Sequence, residues 1–171
     1  MPNNHQHGFR EGRSCLTNLL TSLEEWTKAV YEGHAVDVIY LDIAKAFDTT
    51  PHKTLEHKMR LCGLDGKVLG WLSDFLSKRK MRVCVREAQS EWRDVTSSVP
   101  QGSVGGPTSV FIDDMADDIS SRTIQFADDT KLWKIINNEE DKNELQKDLE
   151  RLEDWSDKWL LKFNPKKCEV H

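Results

Sequence analysis

Apolar residues recur at helical spacing through Leu16, Leu19, Leu20, Leu23, Thr27 and Val30. That pattern predicts an amphipathic helix over roughly 14–32, with Ser14 at its N-cap and Gly33 at its end. Ala35 to Leu41 is then a nearly continuous apolar run, as a central, buried strand requires. The two-residue period of a strand sets Asp42, just past its end, on the face of Val36, Val38 and Tyr40. A carboxylate there is costly unless it is paired or bound to a cation. Pro51 suits the first turn of a helix running to about Leu61, which Gly63 stops. Asp65 is positioned to cap a further helix containing Val68, Leu69, Trp71, Leu72, Phe75 and Leu76. Met81–Val85 and Trp92–Thr96 alternate and predict a hairpin around Glu87-Ala88-Gln89-Ser90.

Pro100-Gln101-Gly102-Ser103 reads as a turn leading into a helix whose apolar stripe is Phe111, Ile112, Met115 and Ile119. Asp113, Asp114, Asp117 and Asp118 fall on its other side and are expected to face solvent with no shared focus. Thr123-Ile124-Gln125-Phe126 alternates as a half-buried strand does, and Thr130 to Ile136 reads as a second strand. Ala127-Asp128-Asp129 falls between them, where a tight hairpin turn holds two carboxylates side by side. Such a pair repels at neutral pH, and inside a protein it waits for a cation or a proton. Leu145, Leu149, Leu152, Trp155 and Trp159 share one face of a long helix, about 139–160, too short for a coiled coil and suited to lying on a sheet. Asn164-Pro165 breaks the chain before a last extended piece. Helices and strands do not alternate regularly, so the fold class is α+β, with helices packed against a largely antiparallel sheet.

Composition narrows this picture. At 171 residues, one domain with a real core is expected. Hydrophobic residues are 37% and charged residues 31%, and no stretch approaches a membrane span, so no membrane partner is expected. Cys15, Cys62, Cys84 and Cys168 are far apart and form no Cys-x-x-Cys, which points away from a zinc site or a disulfide framework. The expected compartment is therefore reducing and intracellular, with nothing to choose between nucleus and cytoplasm. A net charge of −5 argues mildly against a free-standing nucleic-acid binder. The basic clusters Lys78-Arg79-Lys80-Met81-Arg82 and Lys166-Lys167 read first as solvated faces.

Asp42, Asp128 and Asp129 thus stand at strand ends or turn tips. If their strands are neighbours, the carboxylates converge, and such a cluster suits two Mg²⁺ ions in phosphoryl transfer. Three motifs occur in order around these acids. They are Tyr40-Leu41-Asp42-Ile43-Ala44-Lys45-Ala46-Phe47-Asp48, Val99-Pro100-Gln101-Gly102-Ser103-Val104 and Phe126-Ala127-Asp128-Asp129. Together they resemble the reverse transcriptase domain of non-LTR (LINE-type) retrotransposons, of the jockey and chicken-repeat-one kind. Gly8-Phe9-Arg10, Gly12-Arg13-Ser14 and Trp155 to Lys167 extend the match over essentially the whole chain. The resemblance implies a polymerase palm with partial fingers and no thumb. About 1–34 would be a fingers-side loop and helix, and about 35–171 the palm with inserted fingers-side elements, by motif placement.

The resemblance also assigns residues. Asp42, Asp128 and Asp129 match the metal-binding triad, and the Ile43 carbonyl would help hold a metal. Phe47 matches the aromatic under the nucleotide sugar that excludes a 2′-hydroxyl. Gln101 and Gly102 match the turn that contacts the incoming nucleotide, Lys167 a lysine near the leaving pyrophosphate, and Arg10 and Arg13 residues beside the template. The implied cofactor is two Mg²⁺, with Mn²⁺ as a substitute; the implied partners are an RNA template, a DNA primer, deoxynucleoside triphosphates and the family's remaining fingers and thumb segments. The expected function is RNA-directed DNA polymerisation by nucleotidyl transfer. The alternative is a catalytically inactive retroelement remnant that at most binds nucleic acid or protein. Two departures from the family pattern bear on this choice. Gly105 replaces an aliphatic residue, and the apolar stretch after Gly106-Pro107 is shorter by about two residues, enough to rotate a helix by roughly 200°.

Overall fold

The structure, a computed structural model, describes residues 5–99 and 111–171. Helix α1 (Cys15–Tyr31) leads to strand β1 (Ala35–Leu41). A single turn, α2 (Ala46–Thr49), precedes α3 (His52–Leu61) and α4 (Gly66–Leu76). Four short strands follow, β2 (Lys80–Met81), β3 (Cys84–Val85), β4 (Ala88–Gln89) and β5 (Arg93–Asp94). The rest is β6 (Arg122–Phe126), β7 (Asp129–Ile136), α5 (Glu139–Trp159) and β8 (Glu169–Val170).

The frame is a four-stranded antiparallel sheet in the order β6-β7-β1-β8. Residues directly opposite one another share a face, so the register Val38↔Trp133↔Arg122 sorts the whole sheet. One face carries Ile39, Leu41 and Leu132. It packs on Leu55 and Met59 of α3, Leu69, Leu72 and Leu76 of α4, and Leu145, Leu152 and Trp159 of α5. The other carries Val38, Ile124 and Trp133 and meets Trp26 of α1, whose ring stands edge-on to Trp133 at 5.7 Å. This is the expected α+β arrangement. Residues 5–7 run parallel to the outer edge of β6, with His7 N–H donating to the Gln125 carbonyl and Gln125 N–H to the His5 carbonyl, both at 2.8 Å.

Several local expectations hold. Ser14 and Thr17 form a reciprocal capping box, and Gly33 ends α1 at φ 84°. Others change. The leucine stripe of α1 faces outward: Leu16, Leu19, Leu20, Leu23 and Val30 are exposed, while Asn18, Ser22 and Ala29 are buried. The reason is Lys131, which projects from the sheet beneath α1 and donates to Asn18 Oδ1 at 2.7 Å and Ser22 Oγ at 3.4 Å. A helix over a lysine presents its polar side to it. Asp65 occupies an N-cap position without making a side-chain cap.

The predicted single hairpin over 81–96 is two ladders, β2 with β5 and β3 with β4, one residue out of step with each other. The predicted helix through Ile119 stops at Ile112, and Asp113–Asp118 are turns. The four acids there do not all face solvent freely. Asp114 Oδ1 accepts from Lys58 Nζ at 2.6 Å and Trp155 Nε1 at 2.8 Å, and Asp113 pairs with Arg10 at 2.8 Å. Repulsion at i,i+4 weakens a helix here, while these partners reward an irregular backbone.

Candidate active site

The ladder between β1 and β7 runs unbroken from Ala35↔Ile136 to Leu41↔Thr130. Continued by one residue, the same register would set Asp42 across from Asp129. The β6–β7 hairpin closes on the pair Phe126↔Asp129, leaving only Ala127 and Asp128 in the turn. Asp129 therefore opens β7 rather than sitting in the turn. All three acids stand at one end of the sheet, and Asp42 and Asp129 share the face of Val38 and Trp133.

Asp42 is 17% exposed. Its Oδ2 accepts from Lys167 Nζ at 2.9 Å, while its Oδ1 is buried and has no hydrogen-bond partner among the described residues. Its carbonyl accepts from Asn164 N–H at 2.8 Å. Asn164 also shapes the following turn: its carbonyl accepts from Lys167 N–H at 2.9 Å and its Oδ1 from Lys166 N–H at 3.2 Å. Asn164-Pro165, read from sequence only as a break, is thus the turn that brings Lys167 back onto Asp42. The hydrogen bond and charge of Asp42 hold the Lys167 ammonium above its ordinary pKa, and Asp129 and Asp128 add to this. Burial holds the Asp128 carboxyl above the usual carboxylate range, and the charges of Asp129 and Asp42 push the same way; its own backbone N–H and Lys167 oppose them.

Asp128 therefore senses the charges of the other two acids. Among the described residues, however, no three His, Cys, Asp or Glu side chains stand close enough together to hold one ion. Asp42 takes Lys167 instead. One orphaned buried carboxylate oxygen, beside a second carboxyl raised first by burial and then by its neighbours' charge, is a donor set short of positive charge. Its donors are all oxygens, which fits a hard divalent cation. Ile43 pairs with Phe163 as an isolated bridge flanked by Ala44 N–H to Lys162 carbonyl and Asn164 N–H to Asp42 carbonyl, both 2.8 Å. In such a pair the residue's own N–H and carbonyl point to the opposite side, here the side of β7.

The remaining predicted residues divide. Phe47 lies in α2, six residues past the end of β1. Gln101 and Gly102 lie outside the described residues, as do Gly105 and residues 108–110 of the short stretch after Pro107. Arg10 is held by Asp113, and Arg13 Nη1 donates to His7 Nε2 at 2.6 Å. That bond makes Nε2 an acceptor, so the His7 proton sits on Nδ1, which faces Thr17 Oγ1 at 3.0 Å. Burial lowers the His7 pKa, and the charges of Arg13 and Lys131 lower it further. Both arginines thus reach this structure with partners already in place.

Sequence reasoning passed over Gln6, which is 2% exposed and bonds through its side chain to the backbone of Ala127. No periodicity marks a lone glutamine in a loop; the neighbouring Gly8 was the available signal. A Cβ on Gly8 would lie 2.3 Å from the Ala127 nitrogen.

Comparison with known proteins now decides the family. Residues 2–171 match the model of the reverse transcriptase (RNA-dependent DNA polymerase) family. The chain belongs to that family. It is 33% identical over 175 residues to the probable RNA-directed DNA polymerase from transposon BS of Drosophila melanogaster, a match covering 95% of this chain and 19% of that protein. It is 30% identical over 177 residues to the RNA-directed DNA polymerase from mobile element jockey of Drosophila funebris, covering 95% of this chain and 18% of that protein. The reverse transcriptase segment thus spans about a fifth of the length of the curated relatives it matches, by the same figures. The likeness to non-LTR retrotransposon enzymes is borne out. In fold, the chain is similar to apo telomerase from Candida tropicalis truncated from its C-terminal domain, with a TM-score of 0.68 at 10% identity over 98% of this chain and 36% of that one.

Proposed function

We propose that this segment carries the catalytic acids of an RNA-directed DNA polymerase, adding deoxynucleotides to a primer 3′-hydroxyl on an RNA template. The observation that supports this most is the placement of Asp42, Asp128 and Asp129 at one end of the sheet, with Asp42 Oδ1 buried and, among the described residues, unpartnered. Asp42 and Asp128 would hold divalent cations, with Asp129 and the Ile43 carbonyl completing the oxygen set. Two Mg²⁺, or Mn²⁺, bound there would activate the primer hydroxyl and stabilise the charge developing on the leaving pyrophosphate. Lys167, freed from Asp42, would meet the charge of a triphosphate in its stead. Phe47 is the residue we assign to rejecting a 2′-hydroxyl, Gln101 and Gly102 to the nucleotide's turn, and Arg10 and Arg13 to the template. In this reading about 35–171 is palm and about 1–34 belongs to the fingers side, by motif placement.

The test is primer extension on an RNA template by the segment continued on both sides as in its relatives. Extension that is abolished by Asp128→Asn supports the proposal. No extension by the wild-type sequence, alongside extension by the jockey counterpart, would identify the chain as an inactive remnant.

A further inference from the structure

We propose that Gln6 is a positioning residue of this site: its carboxamide holds Ala127 in the conformation that presents the next residue, Asp128, and Gly8 supplies the space for it. This inference rests on the assignment of Asp128 to the active site. Ala127 is the first of the two residues in the β6–β7 turn and has φ 55°. Tight two-residue hairpins require a left-handed residue there, which is why glycine or asparagine ordinarily occupies it. Alanine reaches that region rarely, so something must hold it there.

The Gln6 side chain does so from both sides of the residue. Its Oε1 accepts from Ala127 N–H at 3.0 Å, and its Nε2 donates to the Ala127 carbonyl at 3.1 Å. The first bond orients the peptide before Ala127 and the second the peptide after it. The second of these peptides carries the Asp128 nitrogen, so the direction in which Asp128 leaves the turn is set by one carboxamide. Gln6 is itself fixed, because Oε1 also accepts from Gly8 N–H at 2.7 Å. Its side chain is not needed to close the edge of β6, since His7 and His5 already do that through their backbones. Gly8 lies against the turn so closely that an added Cβ would meet Ala127 N at 2.3 Å, Ala127 Cα at 3.0 Å and Gln6 Oε1 at 3.0 Å. Two of those three atoms are backbone and cannot swing aside. The segment ahead of α1 thus reaches across more than a hundred residues of sequence to fix the turn.

The experiment uses the 171-residue chain and Mn²⁺ as the probe. Paramagnetic broadening of assigned amide signals at residues 41–43 and 126–130 reports the metal, and the Ala127 Cα and Cβ chemical shifts report its conformation. Gln6→Met keeps the bulk and removes all three bonds; Gly8→Ala pushes the turn away without touching Gln6. Leu69→Ala, in the core beneath α4, controls for lost stability. We expect Gln6→Met and Gly8→Ala to weaken Mn²⁺ binding by about tenfold or more, a loss that Asp128→Asn shares and Leu69→Ala does not. We also expect Ala127 to leave left-handed shifts in Gln6→Met. Unchanged Ala127 shifts in Gln6→Met, or Mn²⁺ binding equal to that of wild type in both variants, would overturn the proposal while leaving the metal site standing. A wild-type chain that shows no Mn²⁺ broadening at these residues would instead sink the metal-site assignment; loss of the left-handed Ala127 in Gln6→Met would still uphold the clamp.

Discussion

Two buried charges away from the site each make stability depend on pH. Asp148 of α5 is wholly buried, and it accepts from Ser120 N–H at 3.2 Å, Ser120 Oγ at 3.0 Å, Ser121 N–H at 2.7 Å and Arg151 Nη1 at 2.5 Å. Burial alone would raise its pKa, but the hydrogen bonds of Ser121 and Ser120 outweigh it and the net shift is downward. A folded pKa below the unfolded one gives stability that is complete above the ordinary aspartate value of about 3.9 and lost as pH falls through the folded value. Asp148→Asn turns a donor toward other donors and should cost about 2–4 kcal/mol at pH 7 in urea unfolding. The gap to wild type should narrow when unfolding is measured at pH 3 or below. Lys58 is the opposite case. Its ammonium, 2% exposed, lies 4.6, 4.5 and 4.2 Å from the ring centres of Phe111, Trp155 and Trp159 and pairs with Asp114. Burial lowers its pKa, and Asp114 opposes that only in part. Folding therefore disfavours the proton, and stability rises as pH climbs from the folded pKa to the ordinary lysine value of about 10.4. Lys58→Met combined with Asp114→Asn fills the same cage and leaves neither charge of the pair behind. It should match or exceed wild-type stability by about 1–2 kcal/mol at pH 7, and melting curves between pH 7 and 10 should lose the alkaline rise.

At the scale of elements, periodicity identifies a stripe but not what covers it. The α1 leucines illustrate this, since Leu20 is 56% exposed whereas Leu72 of α4 is 5% exposed. Leu20→Lys should shift unfolding free energy by less than about 0.5 kcal/mol, and Leu72→Ala should cost about 2–5 kcal/mol; equal losses in urea titrations would show that the α1 stripe is buried in solution. Strands β1, β6 and β7 and helix α5 were legible because their local patterns agree with their tertiary use. The turns after Ile112 were not, because Arg10, Lys58 and Trp155 draw Asp113 and Asp114 out of a helix, and no neighbour in sequence announces those partners. The same division runs through the site. Strand ends and a two-residue turn located the acids. The ion pair of Asp42 with Lys167 and the bonds of Gln6 to Ala127 join residues 125 and 121 apart, beyond any local pattern. Only the ordered family motifs hinted that such distant pieces belong together.

At the scale of the whole molecule, a set of acids is not yet a polymerase. Metal ions supply charge stabilisation, but the rate also depends on holding primer, template and nucleotide in line, and a misplacement of about 1 Å costs on the order of a hundredfold. The 171 residues cover 19% of the transposon BS relative and carry a net charge of −5, so their average field repels phosphates. Lys167 pairs with Oδ2 of Asp42, and its ammonium opposes a cation entering there. Apolar surface also lies open beyond the site: Trp71 and Phe75 stack on each other at 5.5 Å while 66% and 40% exposed. Each feature works against a productive ternary complex formed by these residues alone. The chain by itself should therefore give no measurable primer extension, even at low salt where basic contacts are strongest. The same residues within a polypeptide of the relatives' length should extend a primer, and Asp128→Asn should abolish it. Lys167→Met adds a second reading in the isolated chain: with its competing ammonium gone, Mn²⁺ should bind Asp42 several-fold more tightly by isothermal titration. Robust extension by the isolated chain, lost in Asp128→Asn, would overturn the first expectation and make these residues a minimal working polymerase.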